Sequence, residues 1–140
     1  MIKRILVIDG ESRSVSGTVA GLKLRGVKVD TVKTKQDAEA YLLKNVYDAV
    51  LLELMIPEKE AKDIKADRPE LKHGLAILNA IRNGKYQVGG TVKEVKVVVI
   101  TCVGHEDPEV MRVLNNLGAS VLVKPVFPAS LAPIMLDWFK

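Results

Sequence analysis

Five side chains in this 140-residue sequence could do chemistry together: Asp9, Glu11, Glu53, Thr101 and Lys124. Carboxylates beside a hydroxyl and an ammonium group can hold a divalent cation, grip a phosphoryl-type anion, or pair with one another. Each of them ends or follows an apolar run: KRILVID before Asp9, DAVLLELMIP around Glu53, VKVVVITC around Thr101 and GASVLVKP around Lys124. Glu53 is the pivot, the single carboxylate in a stretch from Tyr47 to Pro57 that is otherwise almost wholly apolar beyond Asp48. Taken alone, it reads equally as the centre of a site or as an acid at an exposed strand end.

The elements that would position these groups follow from the pattern. An apolar run without polar alternation suits a strand covered on both faces, as in the middle of a parallel sheet. In open α/β sheets the crevice for ligands lies outside the carboxyl ends of such strands. Between the runs, Ser12 or Ser14 is expected to cap a helix reaching about Arg25, with Val15, Val19, Leu22 and Leu24 on its apolar face and Gly26 as its stop. Residues 27–32 alternate valine with polar residues, the pattern of a strand nearer a sheet edge. Thr34 can cap QDAEAYLLKN, which ends near Asn45. After Pro57 comes a charged insertion, 58–72, whose Glu58, Glu60, Asp63 and Asp67 either rebuild a cation site or remain solvated. His73 and Gly74 lead into LAILNAIR, with Leu75, Leu78 and Ile81 on one face. Residues 84–94, with Gly89-Gly90, read as an extended loop or a small hairpin, 106–117 as a helix closed by Gly118, and 120–123 as a short strand. The segment SLAPIMLDWFK is amphipathic, its Leu131, Ile134, Met135, Trp138 and Phe139 packing on the sheet or on a partner. Five strands alternating with five helices predict one α/β domain over residues 1–140, a parallel sheet wrapped on both faces by right-handed crossovers.

Composition narrows the classes. With 48% hydrophobic and 27% charged residues the chain reads as a soluble globular domain. No apolar stretch reaches the roughly 18 residues that span a bilayer, and MIKRILVIDG lacks a signal-peptide core, so the expected location is cytoplasmic and no membrane partner is expected. The net charge of +4 comes from scattered lysines and arginines, and aromatic residues make up only 4%, which argues against direct nucleic-acid binding. Cys102 stands alone and is expected to be a small buried hydrophobe. His105 is expected at the surface, and neither GxGxxG nor GxxxxGK[ST] occurs. Two histidines and one cysteine assemble no catalytic triad, so the chain is not read as an enzyme.

In order and spacing, these segments resemble the receiver domain of two-component response regulators, the CheY-like family, over essentially the whole chain. ILVIDGES resembles its first strand with an acidic pair, DAVLLELMIP the strand of the phosphate-accepting aspartate, VVVIT the strand ending in the switch threonine or serine, and GASVLVKP the segment ending in the lysine and a proline. The resemblance implies a flavodoxin-like (βα)5 three-layer sandwich with strand order 2-1-3-4-5. It also implies a histidine kinase or output protein as partner, Mg²⁺ as cofactor, a homodimer through the fourth and fifth helices as a family habit, and a cis peptide at Lys124-Pro125.

Carried over, Lys124 and Thr101 are the phosphoryl-contact positions and Asp9 the first acid of the pair. Three positions depart: Glu53 stands at the phosphoacceptor, Gly10 at the second acid, and Val121 at the aromatic switch position. Glu53 carries its carboxylate about 1.5 Å further out, beyond the roughly 0.5 Å that such geometry tolerates. Gly10 removes a ligand from an ion that demands near-ideal octahedral oxygens at about 2.0–2.1 Å. If any metal binds, Asp9 and Glu53 hold it, weakly, with Glu11 as a substitute ligand. Otherwise Glu53 pairs with Lys124, in the manner of the lysine–phosphoryl contact of an activated receiver, or points into solvent. The leading expectation is a stand-alone pseudo-receiver acting by protein–protein interaction without phosphorylation. The alternatives are a phosphorylation-regulated response regulator with an unorthodox pocket, and a module binding a nucleotide or other small anion at the strand tips.

Overall fold

The computed structural model describes residues 2–11, 15–59, 71–102 and 106–124. Its strands are β1 (Arg4–Ile8), β2 (Lys28–Val32), β3 (Ala49–Leu52), β4 (Lys96–Thr101) and β5 (Ser120–Val123). All neighbours pair parallel, in the order β2-β1-β3-β4-β5. Between them lie α1 (Ser16–Leu24), α2 (Lys35–Lys44), α3 (Leu71–Arg82) and α4 (Pro108–Asn116). The α/β architecture and strand order agree with the sequence expectation. The fifth expected helix, residues 60–70 of the charged insertion, Ser12, Ser14, His105 and the Lys124-Pro125 bond lie outside the described residues.

The apolar runs form strands because both of their faces are covered. Leu6, Ile8, Val50, Leu52, Val97 and Val99 face one core with Leu42 of α2, Leu78 of α3 and Leu114 of α4. Ile5, Val7, Ala49, Leu51, Val98 and Ile100 face the other with Val15 and Leu22 beside α1. The sheet is therefore the middle of three layers, and the period-2 alternation of a strand distributes side chains between two dry faces.

Local signals set the helix ends. Thr34 caps α2, its hydroxyl accepting from the Asp37 N–H at 3.1 Å, and Asp107 caps α4 by accepting from the Glu109 N–H at 2.9 Å. Three expectations need correction. The cap position of α1 is Val15, with no side-chain cap bond. Leu24, assigned to the buried face of α1, is 89% exposed; two residues beyond buried Leu22, it is turned about 200° from it at 3.6 residues per turn. The helix expected from Leu75 starts at Leu71, so His73 and Gly74 lie inside α3 and the last two residues of the 58–72 stretch belong to it. Residues 84–94, read as an extended loop or a small hairpin, form a loop of successive turns. Gly84 and Gly89 take φ of 79°, and Thr91 ties the loop down: its N–H donates to Leu42 O at 2.9 Å and its hydroxyl to Asn45 O at 2.7 Å.

Candidate functional site

Asp9 and Glu53 directly follow β1 and β3, Thr101 ends β4, and Lys124 directly follows β5. Backbone bonds extend the ladders through these positions: Asp9 N–H to Val32 O at 3.0 Å, Glu53 N–H to Ile8 O at 2.8 Å, Lys124 N–H to Thr101 O at 2.9 Å. The sheet thus carries its order to the residues that matter, and four of the five candidates meet. Lys124 Nζ lies 2.9 Å from Asp9 Oδ2 and 3.3 Å from Glu53 Oε2. The contact to Glu53 is an ion pair without hydrogen-bond alignment. On its other oxygen, Oε1, Glu53 accepts from the Thr101 hydroxyl at 3.3 Å and from the Met55 N–H at 3.1 Å. Both acids are 4% exposed and Thr101 is fully buried.

Glu11 joins differently. Its N–H donates to Asp9 Oδ1 at 2.7 Å, folding the turn after β1, while its side chain is exposed. Val121, half-buried in β5 opposite Val99, packs on the core shared by α2, α3 and α4. Cys102, expected to be buried, is exposed, because β4 stops at Thr101 and Cys102 lies just beyond the covered strand.

Burial dominates the electrostatics. It pushes the Glu53 carboxyl above its ordinary range, helped by the negative charge of Asp9, although the Met55 N–H and Lys124 pull it back. Burial alone would lower Lys124, but its contacts to Asp9 and Glu53 outweigh that and hold the ammonium above its usual value. Lys124 therefore stays charged and Asp9 is its closer partner.

The donor set offers little to a divalent cation. Asp9 has Oδ1 on the Glu11 N–H and Oδ2 on Lys124, and both Glu53 oxygens face donors. Gly10 supplies no carboxylate, and no group of three metal-ligating side chains occurs among the described residues. An ion here would have to displace the Lys124 ammonium, so the residues present do not fit Mg²⁺ as they stand.

Met55 was not singled out from sequence, because it contributes only its amide. A second polar constellation went unnoticed too. Glu39 of α2 pairs with Lys35 at 2.8 Å and Lys85 at 2.7 Å, and Glu58 pairs with Lys35 at 3.5 Å and with His73 Nδ1 at 3.3 Å. These contacts fasten α2 to α3 and to the segment leaving β3.

Solved structures resemble this arrangement over nearly its whole length. A response regulator receiver domain protein (CheY-like) from Methanospirillum hungatei JF-1 superposes with TM-score 0.71 at 21% identity, covering 99% of this chain and 94% of that one. A two-component response regulator from Clostridium difficile gives 0.71 at 23%, covering 95% and 93%. The chain has the receiver-domain fold. Chemotaxis response regulator CheY4 of Vibrio cholerae gives 0.72 at 19%, covering 98% of each chain. No protein-family model and no curated protein matches the sequence. In a receiver fold the strand tips that hold Asp9, Glu53, Thr101 and Lys124 form one continuous edge, beginning where the chain order reverses between β1 and β3. No helix among the described residues is long and apolar enough to cross a membrane.

Proposed function

We propose that this chain is a pseudo-receiver of two-component signalling: an interaction module, not an enzyme, that engages a histidine kinase or an output protein in the cytoplasm without being phosphorylated. One observation supports it above the rest. Lys124 is shared by Asp9 and Glu53 while the Thr101 hydroxyl rests on Glu53. The longer Glu53 side chain occupies the space where a phosphoryl group would meet lysine and threonine, so the contacts of a charged pocket are made by the protein itself. Gly10 works in the same direction by leaving the acidic pair incomplete. Homodimerisation through the fourth and fifth helices belongs to this reading as a fold-level analogy.

The test is intact-mass measurement after incubation with acetyl phosphate and Mg²⁺. The expected result is an unchanged mass, and a stoichiometric, Mg²⁺-dependent gain of one phosphoryl group overturns the proposal.

The competing reading, a regulated receiver with an unorthodox pocket, draws on one observation. Among the described residues a Cβ at Gly10 would meet only Lys33 O at 3.7 Å and the Pro57 ring at 3.8 Å, ordinary contacts, so these neighbours allow an acid there. The double variant Gly10→Asp with Glu53→Asp is expected to bind Mg²⁺ and accept phosphate, where the single Glu53→Asp does neither. Phosphorylation of the single variant would mean that one methylene alone separates this pocket from a working one. The small-anion alternative is weaker, since the Lys124 ammonium is already held by two carboxylates.

A further inference from the structure

Parallel topology collects the amino ends of the strands and the carboxyl ends of the helices on one rim, opposite the Lys124 pocket. The register sets Arg4 beside Lys28, Ile5 beside Ala49, and Ala49 beside Lys96, so the starts of four strands lie level. Exposed cations gather there: Lys23, Arg25 and Lys28 where α1 turns into β2, Lys44 at the end of α2, and Lys93 and Lys96 on the approach to β4. Among the described residues the exposed carboxylates of the rim are Asp48 and Glu94, and Asp48 already accepts the Lys3 and Arg4 N–H groups at 2.9 Å. The rim is therefore strongly positive, whereas the opposite edge carries the acids of the pocket.

Large exposed apolar side chains collect on the same rim. Leu24 is 89% exposed between Lys23 and Arg25, Leu43 and Val46 flank Lys44 at 47% and 57%, and Val88 is 94% exposed in the 84–94 loop. The loop is held against the end of α2 by the Thr91 bonds to Leu42 and Asn45. Leu24, Leu43 and Val46 thus stand beside cations in the chain, and Val88 projects from the loop held against them.

We propose that this rim docks on an anionic phospholipid surface, the cations meeting headgroup phosphates while Leu24, Val88 and their neighbours enter the interfacial layer. That departs from the sequence expectation of no membrane partner and is independent of how the pocket works. Charge complementarity selects an anionic partner. The spread of the apolar tips over α1, α2 and the 84–94 loop selects a fluid one, since protein interfaces centre on a contiguous apolar core. Of the aromatic rings near this rim Tyr47 and Tyr86 are buried, and Tyr41, in the last turn of α2, is 40% exposed, an amphipathic ring suited to the headgroup level. Apolar tips would add nothing to phosphate contacts on a nucleic acid, whereas at a bilayer they add to the electrostatic attraction.

Co-sedimentation of the full chain with phosphatidylcholine vesicles, with and without phosphatidylglycerol, tests this. The expected result is binding to the anionic vesicles only, weakening with salt, about fivefold weaker for each of Lys23→Gln and Lys28→Gln, and weaker again for the double variant Leu24→Ser with Val88→Ser. Since these side chains are exposed, unfolding curves of the variants should match the parent's. Absence of binding to anionic vesicles overturns the proposal. So does binding that ignores the Leu24 and Val88 substitutions and is matched on polyglutamate or duplex DNA, which would mark a general polyanion surface.

Discussion

Glu53 is the residue on which burial and pairing oppose each other most sharply. Its folded pKa lies above the ordinary value of 4.5, so the native state binds more protons than the unfolded chain between 4.5 and that raised value. Stability must therefore fall as pH rises through this window, and at neutral pH the ionised Glu53 is a net cost. Removing one acid from a buried pair normally strands its partner, but here Lys124 keeps Asp9 at 2.9 Å. Glu53→Gln is thus expected to gain about 1 kcal/mol at pH 7, or a melting temperature higher by about 4 °C, with the gain shrinking in paired thermal melts as pH falls through that window and absent below about 4.5. A loss of similar size would show that the Glu53–Lys124 contact outweighs the burial cost. Much of this site was legible in the sequence, because acids, a threonine and a lysine closing apolar runs have few places to go except the strand tips. What escaped was the Met55 amide and the preference of Lys124 for Asp9, since neither a backbone donor nor a difference of a few tenths of an ångström leaves a mark in residue type.

Between elements, two contacts decide whether that edge keeps its shape. Gly74 sits inside α3 with its N–H on Leu54 O at 3.2 Å, and a Cβ there would lie 2.6 Å from that oxygen and closer still to Leu54 Cα. Helix propensity favours alanine over glycine by about 1 kcal/mol, so Gly74→Ala separates the two effects by sign. It is expected to destabilise by about 3 kcal/mol, because the obstruction is backbone and α3 must move away, and to disturb Glu53 next in the chain. A neutral outcome in chemical denaturation would mean that α3 has slack. Arg82 does comparable work at the other end of α3. Its guanidinium donates to Leu117 O at 2.6 Å and to Lys93 O and Val95 O at 2.7 Å, joining α3, the loop before β4 and the end of α4. Arg82→Ala should cost about 2–3 kcal/mol, and Arg82→Lys should recover less than half, because a point charge cannot reproduce the planar fork. Both cases show why element boundaries were read less well than element types. Thr34 announces α2 locally, whereas the start of α3 at Leu71 depends on the close approach of Gly74 to Leu54, which no local pattern encodes.

Across the molecule, the order of apolar runs and turn residues was enough to place the sheet, since continuous strands separated by helical stretches leave few alternatives to a parallel sheet covered on both faces. It did not reveal that the charge is polarised between the two rims, because scattered lysines become neighbours only once the strands lie side by side. The distribution of shifted groups also fixes how stability should follow pH. Burial pushes the Glu39 carboxyl up, but hydrogen-bonded Lys35 and Lys85 overcome it and hold it at about 2. Asp30 is likewise held below its usual range, with Tyr47 and Arg4 outweighing burial. Acids depressed in the fold give stability that is complete above the unfolded values, 4.5 and 3.8, and is lost as pH falls through the folded ones. Among the described acids Glu53 acts in the opposite sense alone, so the sum should drop steeply below about pH 4.5. On the alkaline side, Lys35 is raised by its bond to Glu39 and Lys124 by its acids, and burial keeps the Tyr47 and Tyr86 hydroxyls protonated well past their ordinary 10.0. A raised lysine gives stability that is lost as pH climbs through its folded value, and a buried neutral tyrosine resists ionisation that the unfolded chain allows. Denaturation midpoints should therefore form a plateau from about pH 5 to about pH 10 with both flanks falling. Glu39→Gln, expected to cost about 1–2 kcal/mol on that plateau, should make the acid flank shallower because its titration no longer contributes. An acid flank of unchanged steepness would place the loss elsewhere than in the link between α2 and the end of α3.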